Sequence, residues 1–326
     1  MSKIFLITGA AGFIGSRTAQ ILLDQKYKIV AIDNLNDYYD IRIKKFRLSL
    51  LKQDKNFIFY EGDIEDKSFL SDIFKKHTIS TVINLAARAG VRYSITNPFI
   101  YASTNYYGSL NLLDLMRENN ISKYVMASTS SIYAGSEMPY KEDSSVNQPI
   151  SPYAASKKAA ELIAYTYSHQ FNIDASIVRY FTVYGPSGRP DMSVLRFIKW
   201  IDEGVPMVLY GDGTQSRDFT YIDDIARGTI AASEKKVGYE IINLGGGQNP
   251  ISINTLIAKI ELLLNKSAII NQKPFHSADV DSTWADITKA KKLLDWEPIT
   301  TLDQGLEKTI KWYFENRDWL KKIKFI

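Results

Sequence analysis

Gly9-Ala-Ala-Gly12-Phe-Ile-Gly15 follows the apolar run Ile4-Phe-Leu-Ile-Thr8, and a second apolar run, Lys28-Ile-Val-Ala-Ile-Asp33, ends in an acid. This order predicts a strand, a glycine-rich turn, a helix and a second strand, which together bind a dinucleotide. The glycines permit a tight turn, let backbone approach the pyrophosphate and let the helix pack against the strand. The carboxylate of Asp33 can accept both adenosine ribose hydroxyls and would repel a 2′-phosphate, which favours NAD over NADP.

The composition is that of a globular protein with a sizeable core. The chain has 326 residues, 45% of them hydrophobic, enough for one large domain or two smaller ones. Forty basic and 36 acidic residues leave a net charge of +4 without a basic block, so we expect no nucleic-acid partner. With no cysteine and only three scattered histidines, we expect no metal. No apolar run reaches about eighteen residues and no leader pattern precedes the first strand, so we expect no membrane association and a cytoplasmic location.

Apolar runs alternate with amphipathic stretches through the first half of the chain, which predicts a Rossmann-type doubly wound parallel α/β sheet. Four strands are expected after the first two, at 56–60, 81–86, 123–127 and 174–178. From Tyr180 onward the alternation becomes irregular and turn-rich. We predict an NAD-binding domain over residues 1–181 and a smaller mixed α/β substrate domain over 182–326. Part of 212–246, including the strand Glu240–Leu244, is predicted to return to the main sheet.

Tyr153-Ala-Ala-Ser-Lys157 places a phenol and an ammonium one helical turn apart. A nearby positive charge lowers the pKa of a phenol, so Tyr153 is a candidate general base, although an ordinary helix surface gives the same spacing. Ser128, Thr129 and Ser130 follow an apolar strand, where open α/β sheets bind their ligands, and with Lys157 they are further catalytic candidates. A polar loop or a helix cap would account for these hydroxyls equally well.

These segments together resemble the extended short-chain dehydrogenase/reductases, specifically the nucleotide-sugar epimerases and dehydratases. The resemblance rests on the glycine turn, Asp33, Asp63-Ile64, Leu85-Ala-Ala87, Ser128-Thr-Ser130, Tyr153 to Lys157, 179–186, 217–224 and 284–286. It implies a tightly held NAD, a nucleoside diphosphate sugar as substrate and oxidation at sugar C4.

The resemblance also implies roles for individual residues. Asp63 and Ile64 would flank the adenine, Lys157 would bond the nicotinamide ribose, and Thr129 would hold the C4 oxygen of the sugar. The remaining implied cofactor contacts, beside Asp33, Tyr153 and Lys157, are Gly9, Gly12, Phe13, Ile14, Gly15, Asn34, Leu85, Ala86, Ala87, Asn105 and Tyr180.

The residues after Thr129 distinguish among the reactions of the family. The 4,6-dehydratases carry an Asp-Glu pair there, because elimination needs an acid and a base, and the related decarboxylases of UDP-glucuronate keep the Glu. Here the two positions are Ser130 and Ser131, and hydroxyls cannot act as carboxylates. The resemblance then favours epimerisation, in which Tyr153 takes the C4 hydroxyl proton and the 4-keto sugar turns before reduction on its other face.

The substrate is predicted from four segments that resemble UDP-glucuronate 4-epimerases, at 33–40, 89–94, 181–184 and 188–192. Arg189 has the chemistry to pair with a sugar carboxylate, or it binds phosphate or caps a turn. By resemblance Arg217 would bind the diphosphate and Asp279 a uridine ribose hydroxyl, and Arg92 and Thr182 complete the expected substrate contacts.

Other readings stay open. UDP-glucose or UDP-N-acetylglucosamine could be the epimerised sugar, a 4,6-dehydratase is less favoured, and a non-catalytic NAD-binding regulator is a further alternative. The resemblance also implies a homodimer, formed through helices at about Pro98 to Arg117 and Pro152 to Gln170. Burial against the subunit's own sheet would explain the same apolar pattern in the first of these helices.

Overall fold

The computed structural model of the chain describes residues 3–275 and 279–325. Its strands are β1 (Ile4–Thr8), β2 (Lys28–Asp33), β3 (Phe57–Glu61), β4 (Thr81–Asn84), β5 (Lys123–Thr129), β6 (Asp174–Tyr180), β7 (Thr182–Tyr184), β8 (Met207–Tyr210), β9 (Ser216–Arg217), β10 (Phe219–Tyr221), β11 (Tyr239–Leu244), β12 (Ile251–Ser252) and β13 (Ile270–Lys273).

The helices flank these strands and fill the connections between them. They are α1 (Phe13–Asp24), α2 (Ile41–Leu51), α3 (Lys67–Lys76), α4 (Val91–Thr96), α5 (Pro98–Tyr101), α6 (Gly108–Glu118), α7 (Pro152–Phe171), α8 (Ser193–Glu203), α9 (Ile222–Glu234), α10 (Ile253–Leu264), α11 (Thr288–Leu294), α12 (Leu302–Glu315) and α13 (Arg317–Leu320). None of the helices in the described part of the chain combines the length and the apolar character that crossing a membrane requires.

Seven strands form one parallel sheet in the order β3-β2-β1-β4-β5-β6-β11. This confirms the predicted doubly wound fold. Alternate residues of β1 face opposite sides of the sheet, so that Phe5 and Ile7 pack in one apolar cluster and Leu6 in another. The strand order reverses between β1 and β4, and the carboxyl ends of strands at such a point form the usual ligand crevice.

The second half of the chain contributes both to the main sheet and to a separate lobe. β11 pairs in parallel with β6 at the edge of the main sheet. Three two-stranded sheets, β7 with β10, β8 with β13 and β9 with β12, lie with α8, α10 and α12 around a second core that includes Ile198, Ile257 and Ile310. Phe197 and Leu209 of this second core line the same crevice as the carboxyl ends of the main strands. The boundary at residue 181 stays a prediction.

The helix expected over Pro98 to Arg117 is interrupted. α5 ends at Tyr101, residues Ala102–Tyr107 form a π-helix, and α6 begins at Gly108. π-helical turns displace side chains from the regular helical spacing and often occur at functional sites. Here the π-helical segment carries Asn105, whose contacts are described below.

Candidate active site

The glycine turn brings backbone to backbone, as the sequence predicts. Gly9 has a φ of +67°, and a Cβ there would lie 2.7 Å from the backbone nitrogen of Ala86. A Cβ on Gly12 would lie 2.8 Å from the carbonyl oxygen of Gly9, and one on Gly15 only 2.1 Å from it. Since α1 begins at Phe13, its unpaired amides face the turn and favour an anionic ligand such as a pyrophosphate.

Asp33, at the carboxyl end of β2, is held in place by two backbone amides. Its Oδ2 accepts from the Ala11 amide at 3.0 Å and its Oδ1 from the Leu35 amide at 2.9 Å. Each carboxylate oxygen keeps a further lone pair, so the side chain can also accept ribose hydroxyls. Asn34 lies beside it and donates to Oδ2 of Asp63 at 2.6 Å.

The predicted site residues meet in one cleft of about 900 Å³ at the carboxyl ends of the main strands. That volume is at the upper end of the range for small-molecule sites, as expected for two ligands side by side. Lining it are Gly9, Gly12, Phe13, Ile14, Gly15, Asp33, Asn34, Asp63, Ile64, Leu85, Ala86, Ala87, Arg92, Ser128, Thr129, Ser130, Tyr153, Lys157, Tyr180, Thr182, Arg189, Arg217 and Asp279.

Asn105 is the exception among the predicted residues, because its side chain lies behind the cleft wall. It is buried, accepts from the Arg88 amide at 2.9 Å and donates to the Arg88 carbonyl at 3.0 Å and to Ser156 Oγ at 2.9 Å. With its amide used in this way, Asn105 holds the loop after β4 rather than facing the cleft. The expectation that it lines the cofactor cleft is corrected accordingly.

The end of β5 and the start of α7 place the catalytic candidates. Ser151 caps α7 by accepting from the Ala154 amide at 3.1 Å, which sets Tyr153 and Lys157 on the turn facing the cleft. Thr129 accepts from the Ser131 amide at 3.1 Å and also bonds the Ser131 hydroxyl at 3.1 Å. These contacts fix the orientation of the Thr129 side chain beside the phenol.

A buried ion pair, Arg179 with Glu161, lies behind the catalytic candidates. The carboxylate of Glu161 accepts hydrogen bonds from Nε and Nη2 of Arg179, at 2.8 and 2.7 Å. Both side chains are fully buried. Ser128, a predicted catalytic residue, donates to the same carboxylate at 2.7 Å. Ser128 therefore borders the cleft while its hydroxyl is bound to Glu161.

Burial dominates the electrostatics of the Tyr153 phenol in the cofactor-free protein. Burial raises the pKa of Tyr153, and the Thr129 hydroxyl and the Arg189 charge oppose this only in part. Burial also lowers the pKa of Lys157 to about 8, against a smaller opposing effect of Glu161. Desolvation thus sets the direction of the shift in the cofactor-free protein, and the role of Lys157 in lowering the pKa of Tyr153 stays a prediction.

Two residues that are predicted to bind the substrate, Arg92 and Asp279, instead form an ion pair with each other. Arg92 pairs with Asp279, with 2.6 Å between Nη2 and Oδ2, and its guanidinium lies 3.9 Å from the centre of the Tyr210 ring. Arg189 pairs with Asp191 at 3.0 Å through Nε. Both pairs are only partly exposed, so an anionic ligand would have to compete with these carboxylates.

The other side of the substrate region carries Arg217 and Thr182. Arg217 donates to the Ser216 carbonyl at 2.7 Å, and burial lowers its pKa, which the charge of Asp279 opposes. Thr182 begins β7 and pairs in register with Phe219 of β10. Both residues line the cleft, in the region where the lobe meets the main sheet.

Sequence reasoning missed three cations in the cleft, Lys44, Arg88 and Arg196. Lys44 donates to the Asn36 carbonyl at 2.8 Å, and burial lowers its pKa to about 8. The Nε of Arg88 is buried without a hydrogen-bond partner among residues 3–275 and 279–325. The available signal was the position of Arg88 directly after Leu85-Ala-Ala87, whereas Lys44 lies in a helix with no distinctive motif.

A family model, that of GDP-mannose 4,6 dehydratase, matches residues 6–309. The chain therefore belongs to this family of extended short-chain dehydrogenase/reductases, which confirms the resemblance stated above.

Among curated relatives, a UDP-glucuronate 4-epimerase of Thermodesulfobacterium geofontis (strain OPF15) is 57% identical over 320 residues, which cover 98% of this chain and 99% of that protein. A UDP-glucuronic acid 4-epimerase from Bacillus cereus, solved with UDP-glucuronic acid and NAD, superposes with a TM-score of 0.90 at 38% identity, covering 96% of this chain and 99% of that one. A UDP-glucose 4-epimerase from Thermotoga maritima, solved with UDP-glucose, gives a TM-score of 0.88 at 30% identity over 96% and 99% of the two chains.

Proposed function

We propose that the protein is an NAD-dependent UDP-sugar 4-epimerase, an isomerase that interconverts UDP-glucuronate and UDP-galacturonate. The observation that carries this proposal is a single cleft in which the glycine turn, the Tyr153, Thr129 and Lys157 side chains and Arg189 all meet. The similarity to UDP-glucuronate 4-epimerases along nearly the whole chain supports the choice of substrate.

The residues present fit NAD. Only glycine fits at positions 9, 12 and 15, because a Cβ at any of them would clash with nearby backbone. The turn therefore has no side chain between its backbone and a pyrophosphate at the start of α1. Asp33 would hold the adenosine ribose, and Asp63 and Ile64 would flank the adenine. Further contacts are proposed for Phe13, Ile14, Asn34, Leu85, Ala86, Ala87, Lys157 and Tyr180. When bound, NAD supplies reversible hydride transfer at sugar C4.

The protein's own side chains transfer the proton of the sugar C4 hydroxyl and hold the C4 oxygen. Tyr153 is the general base that takes the C4 hydroxyl proton and returns it, and Thr129 holds the C4 oxygen while the carbon is oxidised. Lys157 contributes a positive charge beside both. Ser130 lines the same wall and has a hydroxyl available for the sugar. Since the 4-keto sugar must turn over within the site, the roomy cleft is part of the mechanism.

The structure also bears on elimination as an alternative reaction. A 4,6-dehydratase needs an acid and a base near C5 and C6, and the two positions after Thr129 are serines. The buried carboxylate of Glu161 cannot replace them, because Arg179 and Ser128 occupy it. These contacts favour epimerisation over dehydration.

Arg189 and Thr182 are proposed to recognise the sugar carboxylate. The charge of Arg189 opposes the rise that burial causes in the pKa of Tyr153, and this supports a position of the guanidinium near the reacting end of the sugar. Its present partner is the carboxylate of Asp191, so a sugar carboxylate would replace one anion by another. Arg92, Arg217 and Asp279 are proposed to bind the UDP portion.

The test is a panel of UDP-glucuronate, UDP-glucose and UDP-N-acetylglucosamine, each assayed for its C4 epimer with the wild-type protein and with Arg189→Gln. We expect turnover of the glucuronate, and a loss of kcat/KM in the variant that is larger for the glucuronate than for UDP-glucose. Arg42→Gln, on an exposed side chain outside the cleft, is the control. Turnover of a neutral sugar alone would contradict the substrate, and NAD binding without any turnover would favour a regulator.

A homodimer is proposed from the surface of α5 to α7. Phe99 is 85% exposed and Leu162 56%, and Tyr107 and Tyr165 are also exposed, although all four are large and apolar in part. By contrast Leu113 lies in the subunit's own core. Such an exposed patch fits a second copy packed helix to helix.

The oligomeric state can be measured by light scattering of the wild-type protein and of the double variant Phe99→Glu, Leu162→Glu. We expect a dimer for the wild type and a monomer for the double variant. Leu262→Glu, at an 81% exposed position on α10, is the matched control and should remain dimeric. A monomeric wild type, or a dimer that survives both charges, would contradict the proposed interface.

A further inference from the structure

Arg47, on α2, is a buried cation that binds only neutral oxygens. It is 3% exposed, and no carboxylate in the described part of the chain pairs with it. A charge in such a place costs free energy unless its donors are satisfied. All three of its nitrogens donate to oxygens, and its guanidinium lies 5.8 and 5.7 Å from the centres of the Phe13 and Tyr39 rings. Its hydrogen bonds are therefore made without a carboxylate partner.

The acceptors of Arg47 lie on the glycine turn, on the loop after β7 and, with Tyr39, on the segment before α2. Nη1 donates to the Ala11 carbonyl of the glycine turn at 3.0 Å and to the Tyr39 hydroxyl at 2.8 Å. Nη2 donates to the carbonyls of Ser187 and Gly188 at 2.6 and 3.1 Å, and Nε donates to Ser187 at 3.1 Å. One planar guanidinium thus joins the dinucleotide-binding turn to the loop after β7.

The glycine turn and the loop after β7 each adjoin a residue that is predicted to bind NAD or the sugar. The amide of Ala11 donates to Asp33 at 3.0 Å, so the same residue is bound by Arg47 and by the proposed ribose acceptor. On the other side, Ser187 has a φ of +58°, and Gly188 closes a turn by donating to the Gly185 carbonyl at 3.1 Å. Arg189 is the next residue, so the position of its backbone depends on this turn.

We propose that Arg47 is a positioning residue that sets Arg189 relative to the bound dinucleotide and thereby couples cofactor binding to sugar recognition. The link runs from Asp33 through Ala11 to Arg47 and on to the turn before Arg189. Lysine cannot replace Arg47 fully, because an ammonium group is too compact to donate to the glycine turn and to the loop after β7 at the same time, as a planar guanidinium does. The inference rests on the proposed function for its activity assay, although its structural part can be measured without substrate.

The first test is a double-mutant cycle on NAD-loaded protein with UDP-glucuronate. Arg47→Met should lower kcat/KM by roughly tenfold or more, and the double variant with Arg189→Gln should fall no more than about twofold below Arg189→Gln alone, because residues on one chain of contacts do not act additively. Arg47→Lys should lie between the wild type and Arg47→Met. Arg42→Met, on the same helix but exposed, is the control and should match the wild type.

A purely structural role predicts a different pattern. Losses at the two sites would then multiply, and Arg47→Met would lower the melting temperature without a selective effect on UDP-glucuronate. Either that multiplication or wild-type kcat/KM in Arg47→Met would overturn the proposal. Should Arg47→Met fail to fold, wild-type kcat/KM in Arg47→Lys would overturn it equally.

The second test measures amide hydrogen exchange over residues 185–192 with and without added NAD. In the wild type, NAD should slow exchange in this loop, and in the Arg47 variants the slowing should be smaller or lost. Equal slowing in the wild type and the variants would refute the coupling. Since no sugar is involved, an inactive wild type would count against the proposed function alone and leave this result to decide the role of Arg47.

Discussion

Replacing Lys157 by methionine should stabilise the cofactor-free protein at neutral pH while removing activity. The side chain is 2% exposed, and burial lowers its pKa from 10.5 to about 8. One pKa unit corresponds to about 1.4 kcal/mol, so holding the ammonium charged in the fold costs roughly 3 kcal/mol. Methionine has a similar volume and no charge, so part of this cost, about 1 to 3 kcal/mol, should appear as added stability.

The pH dependence of this gain has a definite sign. Below about pH 8 the lysine is charged in the folded and unfolded states, and the cost is fully present. Between about 8 and 10.5 the folded protein binds fewer protons than the unfolded chain, so the wild type gains stability as the pH rises. The advantage of Lys157→Met should therefore be largest at neutral pH and shrink across this window.

Urea unfolding of NAD-stripped protein at several pH values from neutral to alkaline would measure the effect, since bound NAD would otherwise stabilise the wild type alone. Lys75→Met is the control, because that side chain is 73% exposed and should show no such pH dependence. A Lys157→Met protein that is less stable than the wild type at neutral pH would refute the reasoning. So would a gain that stays constant with pH.

Three further outcomes are expected from single changes. Tyr153→Phe should abolish interconversion of the C4 epimers, because the base is removed, while NAD titration should show binding close to that of the wild type. Gly15→Ala would bring a Cβ within 2.1 Å of the Gly9 carbonyl, so it should abolish NAD binding in the same titration. Arg179→Met leaves Glu161 buried without its main partner and should destabilise the protein by about 3 to 5 kcal/mol in urea unfolding, and Glu161→Gln in the same chain should restore part of the loss.

The sequence was most informative where the backbone itself is constrained. Gly9 and Gly15 have no alternative that fits the observed contacts, and Asp33 ends its strand at the position where a ribose acceptor is expected. The parallel strands were located to within a few residues, because runs buried on both faces of a sheet are continuously apolar. Tyr153 and Lys157 also lie on one face of a helix, as their spacing requires.

What the sequence could not predict depends on contacts between distant segments. The side-chain amide of Asn105 is hydrogen-bonded to the backbone of Arg88. Asn105 lies in a π-helical turn, which no local sequence pattern predicts. Arg92 and Asp279 were each expected to bind substrate, and their pairing with one another is visible only once the lobe is placed over the sheet. Arg47 has no motif of its own, since its role follows from two loops that meet around its side chain.

The electrostatics of the cleft explain why Tyr153, the proposed base, cannot be understood from its neighbours in sequence alone. Burial lowers the pKa of Lys44 and of Lys157 to about 8, and it raises the pKa of Tyr153. All three shifts have the same largest cause, the burial of a group whose charged form loses its hydration. A dinucleotide and a UDP-sugar bring phosphates, and a glucuronate adds a carboxylate, so their binding favours the charged form of both lysines. Bound ligands would therefore raise the pKa of Lys157 again, since their anionic groups oppose the desolvation that lowers it in the cofactor-free protein.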